Sequence, residues 1–268
     1  MSLRKRVKIP LIMGAVLTVI VLFAYFSVQP REWDDIERTK VLNVVTEYSA
    51  LGYVVDGDSV SGFEYEVLKR FADSLGFALN IVVEPDLEKN IEGLNRGDYD
   101  MVMKLWPTTL ELKSAVQFSQ PLIKNYLVLV QRTPTTPDDA LVQHVADLEG
   151  HTLTMPEHSP DELVLRNIKD ETGINFDINH LPDIDVEHVL AMVARGDIEM
   201  TAADVFTARA VKRFYPQLDI DTKLGFAQPC AWAFPKKSDR RLQQTFDAWL
   251  SDYKHTDDFG RLYRKYYR

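Results

Sequence analysis

The sequence predicts an α/β fold in two lobes, preceded by one membrane-spanning helix. Three observations carry that expectation across the 268 residues. Strand-like and helix-like stretches alternate in two successive series, the pattern of α/β lobes built on largely parallel sheets. A segment rich in Pro and Thr, "TPTTPDD" (133–139), separates the two series. An uncharged apolar run from Ile9 to Val28 follows Arg4, Lys5, Arg6 and Lys8.

That run is about as long as a helix needs to cross a bilayer, and the four cations ahead of it predict a cytoplasmic tip with the rest of the chain outside. Residues 1–30 are therefore read as a basic tip and signal anchor, single-pass in a bacterial inner membrane with the bulk of the chain in the periplasm. A cleaved signal peptide is the competing reading. Its apolar region is shorter and ends in small residues, whereas the exit here, "FAYFSVQPREW", is bulky. Either reading exports the domain.

Lys and Arg number 31 against 40 Asp and Glu. Four of those cations precede the apolar run, so the exported part is more acidic than the formal net charge of −9. Such a surface argues against nucleic acid as a partner. The single cysteine, Cys230, excludes an internal disulfide and makes a cysteine-based metal site an unlikely design.

In the first series, "VLNVVTE" (41–47) reads as a strand. "SGFEYEVLKRFADSLG" (61–76) puts Phe63, Val67, Phe71 and Leu75 on one helical face, with Leu68 and Ala72 beside them, and Gly76 ends it. Strand "ALNIVVE", helix "DLEKNIEGLNRG" and strand "YDMVMKLW" follow. Next comes a short helix in "TTLELKSAVQFSQP" (108–121), where Thr108 and Glu111 have the spacing of a capping box. "NYLVLVQR" (125–132) closes the half.

The second series runs through strand "TLTMPE", a helix capped by Ser159 with Pro160 and Glu162 behind it, strand "INFDINHL" and helix "VEHVLAMVARG". Strand "IEMTAAD" and helix "FTARAVKRFYP" complete it, and two helices from about Asp239 and Asp257 end the chain. The expected lobes are 41–130 plus 226–268, and 135–222, carrying unconnected sheets and hinged near 130–134 and 224–230. "NRGDYDM" (95–101) and "ARGDIEM" (194–200) echo one another. A duplication and an independent reuse of Gly-Asp at a helix-to-strand turn both explain the echo.

None of G-x-S-x-G, H-E-x-x-H, G-x-x-x-x-G-K-[ST] or G-x-G-x-x-G occurs. Asp185 near His188 reads as a helix cap, and Glu64 and Glu66 lie on different helix faces, so neither makes a metal site or an acid/base pair. No enzyme, metal or cofactor is expected. What remains is helix starts at the carboxyl edges of the sheets, where open α/β sheets bind ligands. Ser159 is a candidate on that ground, and Lys104 and Lys113 are candidate cations near the other start.

"TEYSALGYVVDGDSVSGFEYEVLKRFADSLG", "LNRGDYD", "FSQP" and the run from "EMTAADVFTARAVKRFYPQL" to "LYRKYY" resemble the family 3 periplasmic solute-binding proteins of amino-acid transport. They are most similar to the solute-binding-like N-terminal domain of the membrane-bound lytic transglycosylases F. The resemblance covers roughly residues 40–268. It implies a two-lobed periplasmic-binding-protein-like (type II) fold that closes on an amino acid, a short peptide or a cell-wall fragment without catalysis, and a transporter or membrane signalling protein as partner. In the transglycosylases a catalytic domain follows the equivalent of "LYRKYY"; this sequence ends at Arg268, so no lytic activity is expected of it.

The resemblance also implies site residues. Asp204 falls where the second lobe supplies a carboxylate to the ligand's α-amino group. Tyr48 and Tyr53 lie in a loop that offers aromatic surface, and Trp106 is a further candidate. The arginine that grips the ligand's α-carboxylate in that family corresponds to Leu112, which has no donor. Lys104, ahead of Lys113, is the expected substitute. An interaction module with a degenerate ligand site is the alternative.

Overall fold

The computed structural model describes residues 29–134, 136 and 140–268. The basic tip and all but the last two residues of the predicted anchor lie outside them. Among the described residues no helix is long and apolar enough to cross a membrane.

Helix α1 (Trp33–Thr39) leads into β1 (Val41–Thr46), a hairpin of β2 (Val54–Asp56) and β3 (Ser59–Ser61), and α2 (Phe63–Leu75). Neither α1 nor the hairpin is among the sequence-derived elements, although Gly57-Asp58 is a two-residue turn signal with glycine first, and Gly57 takes φ of 57°. Then come β4 (Ala78–Val83), α3 (Leu87–Arg96), β5 (Met101–Pro107), α4 (Leu110–Ala115), β6 (Gln117–Phe118) and β7 (Ile123–Arg132). After a 3₁₀ turn at Val145–Leu148 follow β8 (Thr152–Pro156), α5 (Asp161–Thr172), β9 (Asp177–Leu181), α6 (Val186–Arg195), β10 (Met200–Asp204), α7 (Val205–Lys212) and β11 (Leu218–Asp219). The long β12 (Lys223–Phe234), α8 (Arg241–Tyr253) and α9 (Asp257–Tyr267) complete the chain.

The first core forms because α2 turns Phe63, Val67, Leu68 and Phe71 inward, all fully buried, onto Leu42, Val44, Met101 and Met103 of β1 and β5. Helices α8 and α9 close over it through Phe246, Leu250 and Tyr267, with Phe71 edge-on to Phe246 at 5.1 Å. Each such side chain contributes about 1.5–3 kcal/mol by leaving water. The other face of the same strands is filled by Val45, Val102, Trp106, Leu112 and Val116. The second lobe has its own clusters on the two faces of β7 and β10, one with Leu127, Leu129, Leu153 and Phe176, the other with Val128, Val130, Leu190 and Val211.

The cores are separate but the strand path is not. Hydrogen bonds run β10-β7-β12-β5-β1-β4, with β1 parallel to β4 and β5, and β7 antiparallel to β10 and β12. The expectation of unconnected sheets is thus not met, because β7 and β12 are long enough to serve both cores. The first crossing also comes earlier than 130–134. Leu122 and Ile123 pack in the first core while Leu127 and Val128 pack in the second, so β7 changes lobe at Lys124–Tyr126. β12 changes between Leu224 and Cys230, where its register against β7 shifts and Gly225 takes φ of 74°.

The two Arg-Gly-Asp turns fold alike. α3 and α6 are each ten residues long and each is capped by an aspartate, Asp86 or Asp185. Each ends in a glycine at φ near 90°, Gly97 or Gly196, that accommodates the turn into the next strand. In each, the arginine before the glycine pairs with the aspartate after it.

Candidate functional site

A cleft of about 740 Å³ opens between the two cores. It is within the range of sites that enclose a drug-sized molecule, about 300–1,000 Å³. Its walls come from the loop after β1, the ends of β4 and β5, the β7 and β12 crossings, and the starts of α5, α6 and α7. The lobes touch across it. Ala50 N–H donates to Glu187 Oε1 at 2.8 Å, Arg166 pairs with Glu111 at 3.3 Å, and Phe206 packs on Tyr267 with ring centroids 4.5 Å apart.

Asp204 ends β10 and caps α7. Its Oδ1 accepts from Phe206 N, Thr207 N and the Asn125 side-chain amide at 2.8–3.1 Å, and the residue lines the cleft. Ser159 also lines it, with its Oγ accepting from Asp161 N at 3.3 Å. The expected box with Glu162 does not form, because the Glu162 carboxylate turns to His180 Nε2 at 2.8 Å. The cap of α4 is Thr109 rather than Thr108, with Thr109 Oγ1 accepting from Leu112 N at 3.3 Å. Glu111, freed from a capping box, reaches Arg166 instead.

Lys104 lines the cleft but is 4% exposed and fully engaged. Its ammonium donates to Glu47 Oε2 at 3.1 Å and to the carbonyls of Glu84 and Pro85 at 2.9 and 3.2 Å. Three donors meet three acceptors within the first lobe. Lys113 is exposed on α4, away from the cleft wall. Leu112 is buried in the apolar cluster with Trp106, Val116 and Leu163. Tyr48 lines the cleft at 58% exposure, stacked on Tyr53 at 5.9 Å; Tyr53 is buried and supports it from behind. Trp106 lines the cleft too, and its buried Nε1–H has no acceptor among the described residues.

Of the carboxylates that dominate the wall, the sequence reading singled out only Asp204 as a ligand candidate. It carries ten carboxylates against two lysines and a histidine. Most have partners: Glu47 has Lys104, Asp86 and Asp185 cap helices, and Glu187 holds Ala50 N–H. Among those not open to solvent, two are less well served. Glu64, 9% exposed, accepts from Trp232 Nε1 at 3.1 Å through Oε2 only. Asp161, at the first turn of α5, accepts no side-chain or backbone hydrogen bond among the described residues. Burial pushes the Glu64 carboxyl up to about 8, helped by the charges of Glu47 and Asp204 and opposed by Trp232 and Lys104. Burial, with Asp204 and Glu47 nearby, raises Asp161 to about 7. A signal for these residues exists in the sequence, since each stands at a strand end or helix start, but nothing there distinguishes them from ordinary caps.

Among the described residues no group of His, Cys, Asp and Glu has the geometry to hold a metal ion. The buried Cys230 thiol, raised by burial and by Asp161, Asp204 and Glu64, is no nucleophile.

Several known structures share this fold. An ancestral arginine-binding protein bound to arginine superposes with a TM-score of 0.72 at 19% identity, covering 85% of this chain and 99% of that one. The solute receptor for L-cysteine of Neisseria gonorrhoeae superposes at 0.74 with 18% identity, covering 88% and 93%. Among curated proteins, the membrane-bound lytic murein transglycosylase F of Desulfosudis oleivorans is 28% identical over 235 residues, 88% of this chain and 50% of that protein. The enzyme of the same name from Pseudomonas fluorescens is 27% identical over 244 residues, 89% and 48%. The chain thus spans about half the length of these relatives. The family model of the bacterial extracellular solute-binding proteins, family 3, matches residues 42–268, and the chain belongs to that family.

Proposed function

We propose that this chain is a membrane-anchored, periplasm-facing binding protein that closes on a small amino-acid-like, peptide or cell-wall-fragment ligand without catalysis. The observation that carries this reading is the cleft of about 740 Å³ between two separately packed cores, bridged by direct contacts from both sides. The lobes are broadly 41–130 plus 226–268, and 135–222, with β7 assigned to the second from Leu127 onward. Motion about Lys124–Tyr126 and residues 225–229 would open and close them. Tyr48, Trp106, Ser159 and Asp204 contact the ligand, and Lys104 shapes the wall from behind. The relatives named membrane-bound support the anchor, and a transporter or signalling protein in the membrane is the partner this reading calls for.

A second reading, an interaction module with a degenerate ligand site, is favoured by one observation. The position of the family's carboxylate-gripping arginine is a leucine sealed in the core, and Lys104 has no donor left to replace it. Thermal-shift screening of the full chain against amino acids, di- and tripeptides and muropeptides separates the two. A ligand present at one hundred times its dissociation constant adds about 2.7 kcal/mol. No stabilisation across the whole set would leave the degenerate module.

A further inference from the structure

Carboxyl groups line the innermost part of the cleft, and their geometry says what kind of ligand it favours. Glu47, Glu64, Asp161 and Asp204 line the same cleft, and Lys104 on the same wall is already spent on Glu47 and two carbonyls. Glu64 is nine-tenths buried, yet only one of its oxygens has a protein partner. Asp161 has none. Carboxylates removed from water are costly until a cation or donor meets them. An aromatic face stands at the rim, since Tyr48 is 58% exposed and braced by Tyr53. Aromatic faces attract ammonium and guanidinium groups. The wall's other lysine, Lys89, stands beside Glu84 and Asp86, so neither lysine of the wall is free for a ligand carboxylate.

We propose that the cleft selects an organic cation, with ammonium or guanidinium nitrogens donating to Glu64, Asp161 and Asp204, and that a free carboxylate on the ligand weakens rather than anchors it. This inference rests on the solute-binding reading and narrows its ligand class. Two sources share the chemistry: a free aliphatic diamine, and a basic residue whose carboxylate is masked in a peptide bond.

Calorimetry on the full chain with argininamide, lysinamide, 1,4-diaminobutane, arginine, glutamine and glutamate tests it. The amides or the diamine should bind at least tenfold more tightly than arginine, with glutamine weaker and glutamate undetectable. The stronger of the amide and diamine arms identifies the source. Asp161→Asn should weaken the tightest cation at least tenfold while leaving the melting temperature of the ligand-free chain unchanged or raised, because no protein contact is lost. Tighter binding of glutamine or glutamate than of the amides would overturn the cation while keeping the solute-binding reading. Silence across these probes and across the peptide screen would overturn both. Equal affinity in Asp161→Asn would overturn the assignment of the site.

Discussion

Each lobe starts a helix directly after a strand that reaches the cleft, and the two starts are built differently. In the second lobe α7 begins at Asp204, whose carboxylate caps two backbone N–H groups, holds Asn125 and still stands on the cleft wall. In the first lobe α4 begins at Thr109, which caps one N–H, and its third residue, Leu112, points into a sealed apolar cluster. One start presents charge to the cleft; the other turns its side chain into the core. Asp204 is thus a carboxylate on the cleft wall with no counterpart at the α4 start, and Lys104, a buried cation of the first lobe on that wall, serves the lobe itself.

The largest expected effect tests that last point. Lys104→Met removes the one group joining Glu47 to the carbonyls of Glu84 and Pro85, and leaves these acceptors facing an apolar side chain. Breaking a buried charged network in this way costs about 3–4 kcal/mol. Urea denaturation should show it as a fall in midpoint at unchanged slope. A loss under about 1 kcal/mol would mean that Lys104 is held loosely and remains available to a ligand.

Next in size is the pH dependence set by Glu64. Its carboxyl titrates at about 8 in the folded chain against 4.5 without the fold. The folded chain then holds a proton that the unfolded chain has released, so stability is complete below 4.5 and falls as pH rises through 8. Asp161 adds a slope of the same sign, from 3.8 to about 7. Glu64→Gln keeps an acceptor for Trp232 and removes the first slope. The variant should gain about 2–4 kcal/mol relative to the parent at pH 9 and nothing at pH 4. Parallel stability curves for variant and parent between those limits would refute this account of the anionic wall.

How much of this was legible beforehand differs between fold and site. Alternating periodicity placed α2, α3, α6, β5 and β10 because apolar spacing is written in the residues that make each element's own buried face. The echo of Asn95–Met101 and Ala194–Met200 proved to be one local structure used twice. Lobe boundaries were less legible. "NYLVLVQR" gives no sign that its first residues serve one core and its last another, since both environments ask for the same apolar strand. The lining of the cleft was legible in part. Asp204 and Ser159 were visible as caps after strands, and Tyr48 through its loop. Lys104 was visible as a cation but not as an engaged one, because Glu47, Glu84 and Pro85 meet it only through parallel pairing of β1 with β4 and β5. Glu64 and Asp161 were hidden for the same reason: a carboxylate's loneliness is a property of three dimensions.

A third prediction compares the two caps directly. Asp204→Ala takes three hydrogen bonds from the α7 start and should cost about 1–2 kcal/mol of stability, the upper part of the range for an N-cap. Thr109→Ala loses one bond of 3.3 Å and should cost less, about 0.5–1 kcal/mol. Only the first should also reduce binding of an amine-bearing ligand. Equal effects on binding would mean that the lobes contribute symmetrically after all.

The smallest effect is the most discriminating for the first lobe. Lys113 is the cation nearest in sequence to the missing arginine, and simple electrostatics would assign it the arginine's work. It lies on the exposed side of α4, one residue and hence about 100° of helix rotation from Leu112. Its side chain accepts no role in the cleft wall, although its backbone carbonyl receives the Lys236 ammonium, an interaction that a side-chain substitution leaves in place. Lys113→Ala should therefore change stability by less than about 0.5 kcal/mol and leave the affinity for any ligand of the cleft unaltered. If the substitution instead weakens a carboxylate-bearing ligand tenfold, α4 must rotate or unwind when the lobes close on it. The first lobe would then recover an anion grip that its sealed leucine now conceals, and the asymmetry between the two helix starts would be a property of one conformation rather than of the protein.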